Sequence, residues 1–448
     1  MRRGPASVLV TVDHGLRRIR RYRPGEQPVT DEIRWRGTGL ATLTMDGVEH
    51  VFSDGPDLLA DVRRLSRDAA EAARRVLGHP PDSGASSPAD GPAPDDGLAG
   101  EGAALAERYG VRLVHAEYRQ RVAVGPPTWL TRDERRLATV EIVDDADPAW
   151  AEVVVLVPGD AAGNRERLEE AADQVRRTSS LPRAELTATG CDVVLDPGAA
   201  GPLFHELVGH PLEADVSAGG ATWLADREGE QVAPSWLAVT DGPAPLGEGL
   251  AAAVDDEGTP VVTTPLIDRG RVAGPLRDRL TALEAGGPGG THEDVTAVGG
   301  APAVGPGSTG HGRRLDYRHL VAPRMWHTRA HVVGDPPLQE PPSAARLHPR
   351  GLQLAWLNPL TGEVEFRCAD GVLDDGEGQP RRIGPFLLAG TGGELLAALR
   401  PGAGTVRGSG RARPWCAKLG QFPLVTTYAN AAMWIPGEAV HVRDDHGW

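Results

Sequence analysis

The sequence contains few aromatic residues and almost no lysine. Phe, Trp and Tyr make up 4% of its 448 residues, so Ala, Val and Leu must fill most of the core, and Lys418 is the only lysine. The formal net charge is -15, which argues against nucleic-acid or anionic-membrane partners because both require a basic face. A chain of this length exceeds one compact core and predicts two or three domains.

Cysteines and long apolar runs are also scarce. The three cysteines are Cys191, Cys368 and Cys416, and an odd, sparse set indicates a reducing compartment and leaves metal binding or a free thiol as options. No apolar run approaches the length that spans a bilayer, and the first residues lack the apolar stretch of a signal peptide. We therefore expect a cytoplasmic protein with no membrane partner.

The N-terminal part is predicted to be a small α/β module over residues 1–78. Residues 7–12 read as a strand, and residues 39–52 alternate as a hairpin that turns at Asp46-Gly47. Apolar residues then recur at helical spacing from Leu58 to Val76.

The remainder divides into a linker and two further units. Residues 79–102 are rich in Pro, Gly and Asp and predict a disordered linker. Strand and helix patterns over 103–185 indicate a central α/β module. Residues 188–448 are β-rich and punctuated by Gly and Pro, which predicts a larger antiparallel, barrel-like domain. The expected fold class is α+β, and the Gly-rich stretch 286–312 is predicted to be a mobile loop.

The segment His205-Glu206-Leu207-Val208-Gly209-His210 places two histidines five positions apart. On a regular helix this spacing separates the rings by about 140°, too far for one tetrahedral metal. We therefore predict a helix distorted between Leu207 and Pro211, with a π-bulge that returns the rings to one face; Pro211 lacks the N–H that regular continuation needs. On spacing alone, a surface helix that carries two histidines by chance is an equally good interpretation.

A metal site needs a third ligand, and a catalytic site also leaves a position open. Cysteine supplies a soft thiolate, although a free cysteine is more often a small buried apolar residue. Cys191 precedes a strand and Cys368 lies in an alternating strand, so both are expected in the core. Composition alone does not choose among the three cysteines.

Several blocks of the sequence resemble the TldD/PmbA family of zinc metallopeptidases, in the same order as in that family. The segment DVVLDPGAAGPLFHELVGHPLEAD at 192–215 is similar to the family's metal-binding segment. The other blocks are VDDEGTP at 254–260, LIDRGRVAGPLRDRLTA at 266–282, STGHGRRLDYRHLVAPRM at 308–325 and CAKLGQ at 416–421. The resemblance covers nearly everything from 188 to 442 and is weaker before that.

The resemblance implies a TldD-like, catalytic type of chain. His205, His210 and Cys416 correspond to three ligands of one zinc ion, and Glu206 corresponds to the general base that takes a proton from water. Family substrates are unfolded or short peptides added as an extra strand. The resemblance also implies a dimer, either with a PmbA-type (TldE) paralogue that lacks the ligands or with a second copy.

The Arg-rich block supplies candidate substrate contacts. Pro211 and His311 stand where the family usually has Gly and Asn, and His311 is either a ligand or proton carrier or a solvated loop histidine. For Arg313, Arg314 and Arg324, ordinary salt bridges within the protein are an equally good interpretation. At His292-Glu293-Asp294 a solvated charge cluster is expected. The candidate substrate-binding residues are Arg313, Arg314, Arg324 and His311.

Two other functions use the same residues. One is a tailoring amide hydrolase of a peptide or specialised-metabolite pathway that uses the same zinc site. The other is a non-catalytic partner subunit whose metal only stabilises the fold, against which the intact Glu206 argues because a structural site needs no base. The sequence does not specify the physiological substrate or the composition of the dimer.

Overall fold

The computed structural model describes most of the chain outside a few internal segments. The described ranges are 7–44, 47–54, 98–125, 131–145, 151–186, 190–217, 220–285, 307–342, 345–376, 378–408 and 413–445. The predicted helix from Leu58 to Val76, the predicted turn at Asp46, and His292-Glu293-Asp294 lie outside them. Residues 79–97 of the predicted linker also lie outside the described ranges. Its last residues, 98–102, belong to a helix.

The N-terminal part of the protein forms one six-stranded antiparallel sheet in the order β3-β2-β1-β4-β5-β6. Its strands are β1 (Ser7–Tyr22), β2 (Val29–Thr44), β3 (Gly47–Ser53), β4 (Val111–Gly125), β5 (Thr131–Asp144) and β6 (Glu152–Val155). The predicted hairpin is present, with Thr44 opposite Gly47. β1 pairs with β4 along most of its length, so strands from the two predicted N-terminal modules share one sheet.

Two helices pack on one face of this sheet. They are α1 (Leu98–Tyr109) and α2 (Ala161–Ser179), and Asp160 caps α2 by accepting a hydrogen bond from Gly163 N at 3.0 Å. The buried side of α2, with Leu168, Ala172 and Val175, lies against Leu113 and Ile142 of the sheet, as the helical spacing predicted. Burial of each such side chain contributes about 1.5–3 kcal/mol. None of the helices in the described ranges combines the length and apolarity needed to cross a bilayer.

The C-terminal part contains two larger sheets. One has the order β10-β9-β8-β13-β22-β19, and the other has the order β18-β23-β7-β14-β15-β17-β24 with β16 beside β15. Most pairs are antiparallel, as predicted, but β13–β22 and β7–β14 are parallel. No sheet of the described ranges closes on itself, so the barrel-like arrangement is not confirmed.

The strands of the first sheet are β8 (Leu237–Asp241), β9 (Thr264–Asp268), β10 (Arg271–Val272), β13 (His327–Val332), β19 (Arg407–Gly408) and β22 (Thr427–Asn430). Those of the second are β7 (Asp192–Leu195), β14 (Arg346–Leu357), β15 (Glu363–Asp374), β16 (Arg381–Ile383), β17 (Phe386–Thr391), β18 (Arg400–Pro401), β23 (Met433–Ile435) and β24 (His441–Asp444).

Two short hairpins and several short helices complete the fold. The hairpins are β11 (Gly312–Arg313) with β12 (Ala322–Pro323), and β20 (Trp415–Lys418) with β21 (Gln421–Val425). The helices are α3 (Gly201–Phe204), α4 (Ala214–Ser217), α5 (Arg279–Glu284) and α6 (Gly392–Ala398). The core between the sheets includes Phe204, Phe366 and Phe386 together with Cys191 and Cys368, so the expected core positions of these two cysteines are confirmed.

A buried ion pair joins the N-terminal sheet to the C-terminal domain. Arg135 on β5 lies 2.6 Å from Asp256 and also donates to Val254 O at 2.8 Å. Its guanidinium lies over the ring of Trp326, 4.8 Å from the centroid. Asp13 on β1 accepts a hydrogen bond from Tyr317 N at 3.1 Å. These contacts fix the sheet above the segment that carries the two histidines.

Candidate metal centre and groove

The two histidines lie on a locally widened helix. α3 runs into a π-helical turn at His205–Gly209, followed by a 3-10 turn at His210–Leu212. The His210 N–H donates to the His205 carbonyl, a bond across five residues. The rings therefore face each other with centroids 4.6 Å apart. The predicted π-bulge between Leu207 and Pro211 is confirmed.

Two glycines let this helix approach its neighbours closely. A Cβ at Gly209 would overlap Sδ of Met325, and one at Gly201 would overlap Cβ of Tyr428. Both glycines therefore hold the histidine segment tightly against the segment around β13 and β22. The packing, as well as the missing N–H of Pro211, fixes the distorted turn.

The hairpin β20–β21 brings Cys416 to the same point. Its Sγ lies 3.3 Å from His210 Nε2, and the donor atoms of His205, His210 and Cys416 all lie within 4.8 Å of one another. His205 is 1% exposed, and neither ring nitrogen has a hydrogen-bond partner. Burying an imidazole without a hydrogen-bond partner costs free energy. The ring nitrogens of His205 are therefore suited to bind a metal ion. Two nitrogens and one thiolate form a donor set typical of transition-metal sites.

Glu213 orients His210 from the side opposite Cys416. Its Oε2 lies 2.7 Å from His210 Nδ1, which leaves Nε2 directed at the cluster. Burial raises the pKa of Glu213, but the charges of His210, Lys418 and Arg324 outweigh it and lower this pKa to about 2. Lys418 Nζ contacts Glu213 at 2.9 Å and Asp215 at 2.6 Å. Glu213 was not among the predicted site residues, although a carboxylate three residues after His210 on a helical segment is a signal that could have indicated it.

Positive charge surrounds the thiol of Cys416. Burial raises the pKa of Cys416, but the imidazoles of His210 and His205 lower it well below its ordinary value. Burial lowers the pKa of His210, but Glu213 and Cys416 raise it well above its ordinary value. The cluster therefore favours a thiolate, the form in which cysteine binds a metal.

The cluster opens on a groove of about 890 Å³ between the two parts of the protein. Glu206, His210, Cys416 and Tyr428 line it from the C-terminal domain. The opposite wall is one face of the N-terminal sheet. It is lined by Arg17, Ile19 and Arg21 of β1, Arg112, Val114 and Ala116 of β4, and Glu141 of β5, with Arg23 beyond the end of β1. A molecule in the groove therefore contacts the predicted base together with two of the three predicted metal ligands, His210 and Cys416.

One edge of β14 is unpaired where it reaches the groove. β14 pairs with β15 along its length, whereas β7 covers only Arg346 and Leu347 of the other edge. Leu352, Gln353 and Leu354 line the groove beyond that point. Within the described ranges, the backbone donors and acceptors on this edge have no strand partner.

His311 does not reach the groove. It is fully buried, with Nε2 3.2 Å from Asp241 Oδ1 and Nδ1 2.9 Å from Thr309 O. Asp241 also accepts a hydrogen bond from Trp326 N at 2.7 Å. His311 is therefore not a solvated loop histidine, because Asp241 compensates its burial and holds it in the core.

The three candidate arginines are also buried away from the groove. Arg313 stacks on Trp326 with 3.7 Å to the ring centroid and donates to Val425 O at 2.8 Å. Arg314 is buried with its backbone N–H bonded to Asp256 at 2.8 Å. Arg324 is fully buried and donates from Nη2 to Cys416 Sγ at 3.2 Å. None of the three lines the groove, so their predicted role in substrate binding is corrected to packing and, for Arg324, contact with the thiol.

Comparisons with known proteins identify the part of the chain that carries the two histidines. Residues 188–403, which contain both histidines, match the family described as the PmbA/TldA metallopeptidase C-terminal domain. Residues 188–403 of this chain therefore form a domain of the TldD/PmbA type. A metalloprotease TldD homolog from Haemophilus influenzae is 34% identical over 137 residues, 30% of this chain and 24% of that protein. A metalloprotease from Synechocystis is 30% identical over 171 residues, 38% of this chain and 32% of that protein.

The fold of the whole chain is similar to that of TldE from Thermococcus kodakarensis. The two structures superpose with a TM-score of 0.65, covering 96% of this chain and 95% of the other. Their sequence identity is 17%, so the likeness establishes the fold. The aligned sequences of the Haemophilus and Synechocystis relatives span about a quarter to a third of those proteins.

Proposed function

We propose that this chain is a zinc-dependent metallopeptidase that hydrolyses unfolded or short peptides, with Glu206 as general base. The observation that carries the proposal is the convergence of three donor atoms within 4.8 Å at the wall of a groove that Glu206 also lines. The donors come from segments more than two hundred residues apart. Such convergence needs a chemical reason, and metal binding supplies one.

The residues present fit zinc. His205, His210 and Cys416 would hold the ion, three protein ligands being the number typical of catalytic zinc sites. Glu213 holds the His210 ring in the tautomer that presents Nε2. When bound, zinc lowers the pKa of water and polarises a peptide carbonyl.

Glu206 is the acidic side chain best placed to move a proton. Of the two carboxylates that line the groove, Glu141 is paired with Arg413 at 3.2 Å. Glu206 lies beside the first histidine, and its carboxylate accepts the proton of the attacking water and passes it to the leaving amine. Tyr428 stays protonated, because burial and the charges of Cys416 and Glu206 raise its pKa well above its ordinary value.

The unpaired edge of β14 supports binding of an extended peptide. A peptide added beside Leu352–Leu354 would satisfy the backbone groups of that edge, a mode that recognises backbone more than side chains. It would then lie along the groove that Glu206 and Cys416 line. This geometry suits unfolded chains, since a folded domain has no free strand to donate.

We also propose that the protein works as a dimer in the cytoplasm. The fold shared with a TldE supports a paralogue of that type, or a second copy of this chain, as the partner. All three cysteines are free thiols, which fits a reducing compartment.

The test combines metal content with two substitutions. Protein purified without chelators should contain about one zinc per chain, and Cys416→Ala should lose most of it. Cys368→Ala is the matched control, since that thiol is fully buried and away from the cluster. Glu206→Gln should keep its zinc and lose about 10²–10⁴-fold of its activity on an unfolded casein substrate. Unchanged turnover in Glu206→Gln, or zinc content indifferent to Cys416, would overturn the proposal.

A further inference from the structure

The groove is basic in a protein that is acidic overall. Five arginines line it, namely Arg17, Arg21, Arg23, Arg112 and Arg413, against the two glutamates Glu141 and Glu206. The whole chain has a formal net charge of -15. Positive charge is therefore concentrated where the substrate would lie, and a cleft with protein walls focuses such a field.

Three of these arginines are neutralised by carboxylates of the protein. Arg413 pairs with Glu141, Arg21 with Asp31, and Arg23 with Glu26 and Asp145 at 3.8 and 3.7 Å. Arg17 and Arg112 have no carboxylate partner within the described ranges, and the Nε of each is buried without a hydrogen-bond partner. Two guanidinium groups in the groove thus have unsatisfied capacity for an anion.

Arg17 is held close to the metal cluster. Its guanidinium lies over the ring of Trp415 with 4.7 Å to the centroid, and Trp415 is next to Cys416 in the chain. The stacking orients the planar group in advance, as an arginine that binds a carboxylate needs. Partial burial lowers the pKa of Arg17.

Arg112 marks the other end of the same wall. Arg17 lies opposite Tyr118 in the β1–β4 register, and Arg112 is six residues from Tyr118 along β4. At the rise of a β-strand this separates the two positions by about 20 Å. An extended peptide of about six residues spans the same distance.

We propose that the groove selects peptides that carry carboxylates, with Arg17 binding one near the bond that is cleaved and Arg112 binding one about six residues away. The inference rests on the proposed function and specifies its substrate class. Each arginine can form two parallel hydrogen bonds to a carboxylate. The carboxylates are Asp or Glu side chains within the peptide or its C-terminal group, since both present the same oxygen atoms.

The test measures binding to zinc-loaded Glu206→Gln, so that cleavage does not interfere. The probes are dansylated Ser/Gly/Ala peptides of about twelve residues with two glutamates about six residues apart, and the same peptides with glutamine. Each is made with a free and with an amidated C-terminus. The glutamate peptide should bind about tenfold more tightly than the glutamine peptide at low salt.

Substitutions in the Glu206→Gln background then assign the effect. Arg17→Gln and Arg112→Gln should each abolish much of the preference. Arg132→Gln is the matched control, since Arg132 is an exposed arginine of the same sheet that does not line the groove, and it should leave the preference unchanged. A loss of affinity on C-terminal amidation that is equal for the glutamate and glutamine peptides would assign the site to the peptide terminus, which also supports the proposal.

The outcomes separate this inference from the proposed function. Equal affinity for all four peptides, or a preference for carboxylates that survives both substitutions, would overturn the inference even if the parent chain, which retains Glu206, cleaves a neutral peptide. Tight binding of the glutamate peptide, together with no cleavage of any peptide by the zinc-loaded parent protein, would have the opposite meaning. It would overturn the proposed peptidase activity and support the anion-binding site.

Discussion

Arg324 donates a hydrogen bond from Nη2 to the sulfur of Cys416 across 3.2 Å, inside a fully buried pocket. A buried guanidinium is costly unless an anion faces it. The other hydrogen bond of Arg324 among the described residues is a 3.4 Å bond to Lys418 O, so the Cys416 thiolate and the nearby Glu213 carboxylate are the anions that compensate its charge. The arginine and the sulfur therefore stabilise each other.

Replacement of Arg324 by Met should weaken metal binding. The variant keeps an apolar stem of similar length but removes the charge next to the thiolate, and we expect a loss of about 10- to 100-fold in zinc affinity. Competition with a chromophoric chelator measures the affinity. Arg318→Met is the control, because Arg318 belongs to the same block but pairs with Asp316 near the surface. Equal affinities in the two variants would contradict a role for Arg324 at the sulfur.

Glu213→Gln should lower zinc affinity about tenfold or more. The amide keeps the shape of the side chain but removes the negative charge that holds the His210 ring. Asp215→Asn serves as control because it shares Lys418 with Glu213 and does not contact His210. If both variants lose affinity equally, the effect passes through Lys418 rather than through the histidine.

Gly209→Ala should destabilise the protein by about 1–3 kcal/mol. The backbone at Gly209 has φ -61°, which alanine adopts readily, so the cost comes from overlap of the new methyl group with Met325. Urea unfolding gives the free-energy change. The double variant Gly209→Ala, Met325→Ala should be less destabilised than the sum of the single variants, and simple additivity would argue against a steric cause.

Asp13 should make stability depend on pH. Burial, with a smaller contribution from the charge of Asp256, raises its pKa from 3.8 to about 7. The folded protein therefore holds this proton more tightly than the unfolded chain does. The stabilisation is complete below about pH 4 and is lost as the pH rises through about 7, with a slope of about 1.4 kcal/mol per pH unit between these values.

The variant Asp13→Asn isolates that group. Its free energy of unfolding, relative to the parent, should increase between about pH 5 and about pH 7, because the parent alone loses the contribution. Asp31→Asn, at an exposed position on β2, should show no such change. A difference between parent and Asp13→Asn that is independent of pH would contradict the raised pKa.

The sequence predicted the parts of the site that depend on local geometry. The spacing of His205 and His210 and the missing N–H of Pro211 were enough to predict the π-helical turn, because the angle per residue in a helix is fixed. The choice of Cys416 among three cysteines required the family resemblance, since it joins the histidines only through tertiary packing. Nothing near Cys416 in the sequence distinguishes it from Cys368 by physical argument.

The mispredicted residues share a different cause. Polar side chains are exposed by default, so His311 and Arg313 were expected at a surface that binds substrate. Their burial depends on partners far along the chain, Asp241 for the histidine and Trp326 for the arginine. The single N-terminal sheet was missed for the same reason. β1 pairs with β4 across a long intervening segment, and the composition of that segment does not indicate which strands pair on either side of it.

The open edge of β14 also has a consequence for self-association. An unpaired strand edge is a template on which copies of a protein can stack into aggregates. Here the N-terminal sheet, with its arginines, forms the opposite wall of the groove above that edge. A single extended strand fits beneath the arginines, whereas another folded copy is too bulky to enter the groove. The wall that would admit a peptide therefore also shields the open edge of β14 from other copies of the chain.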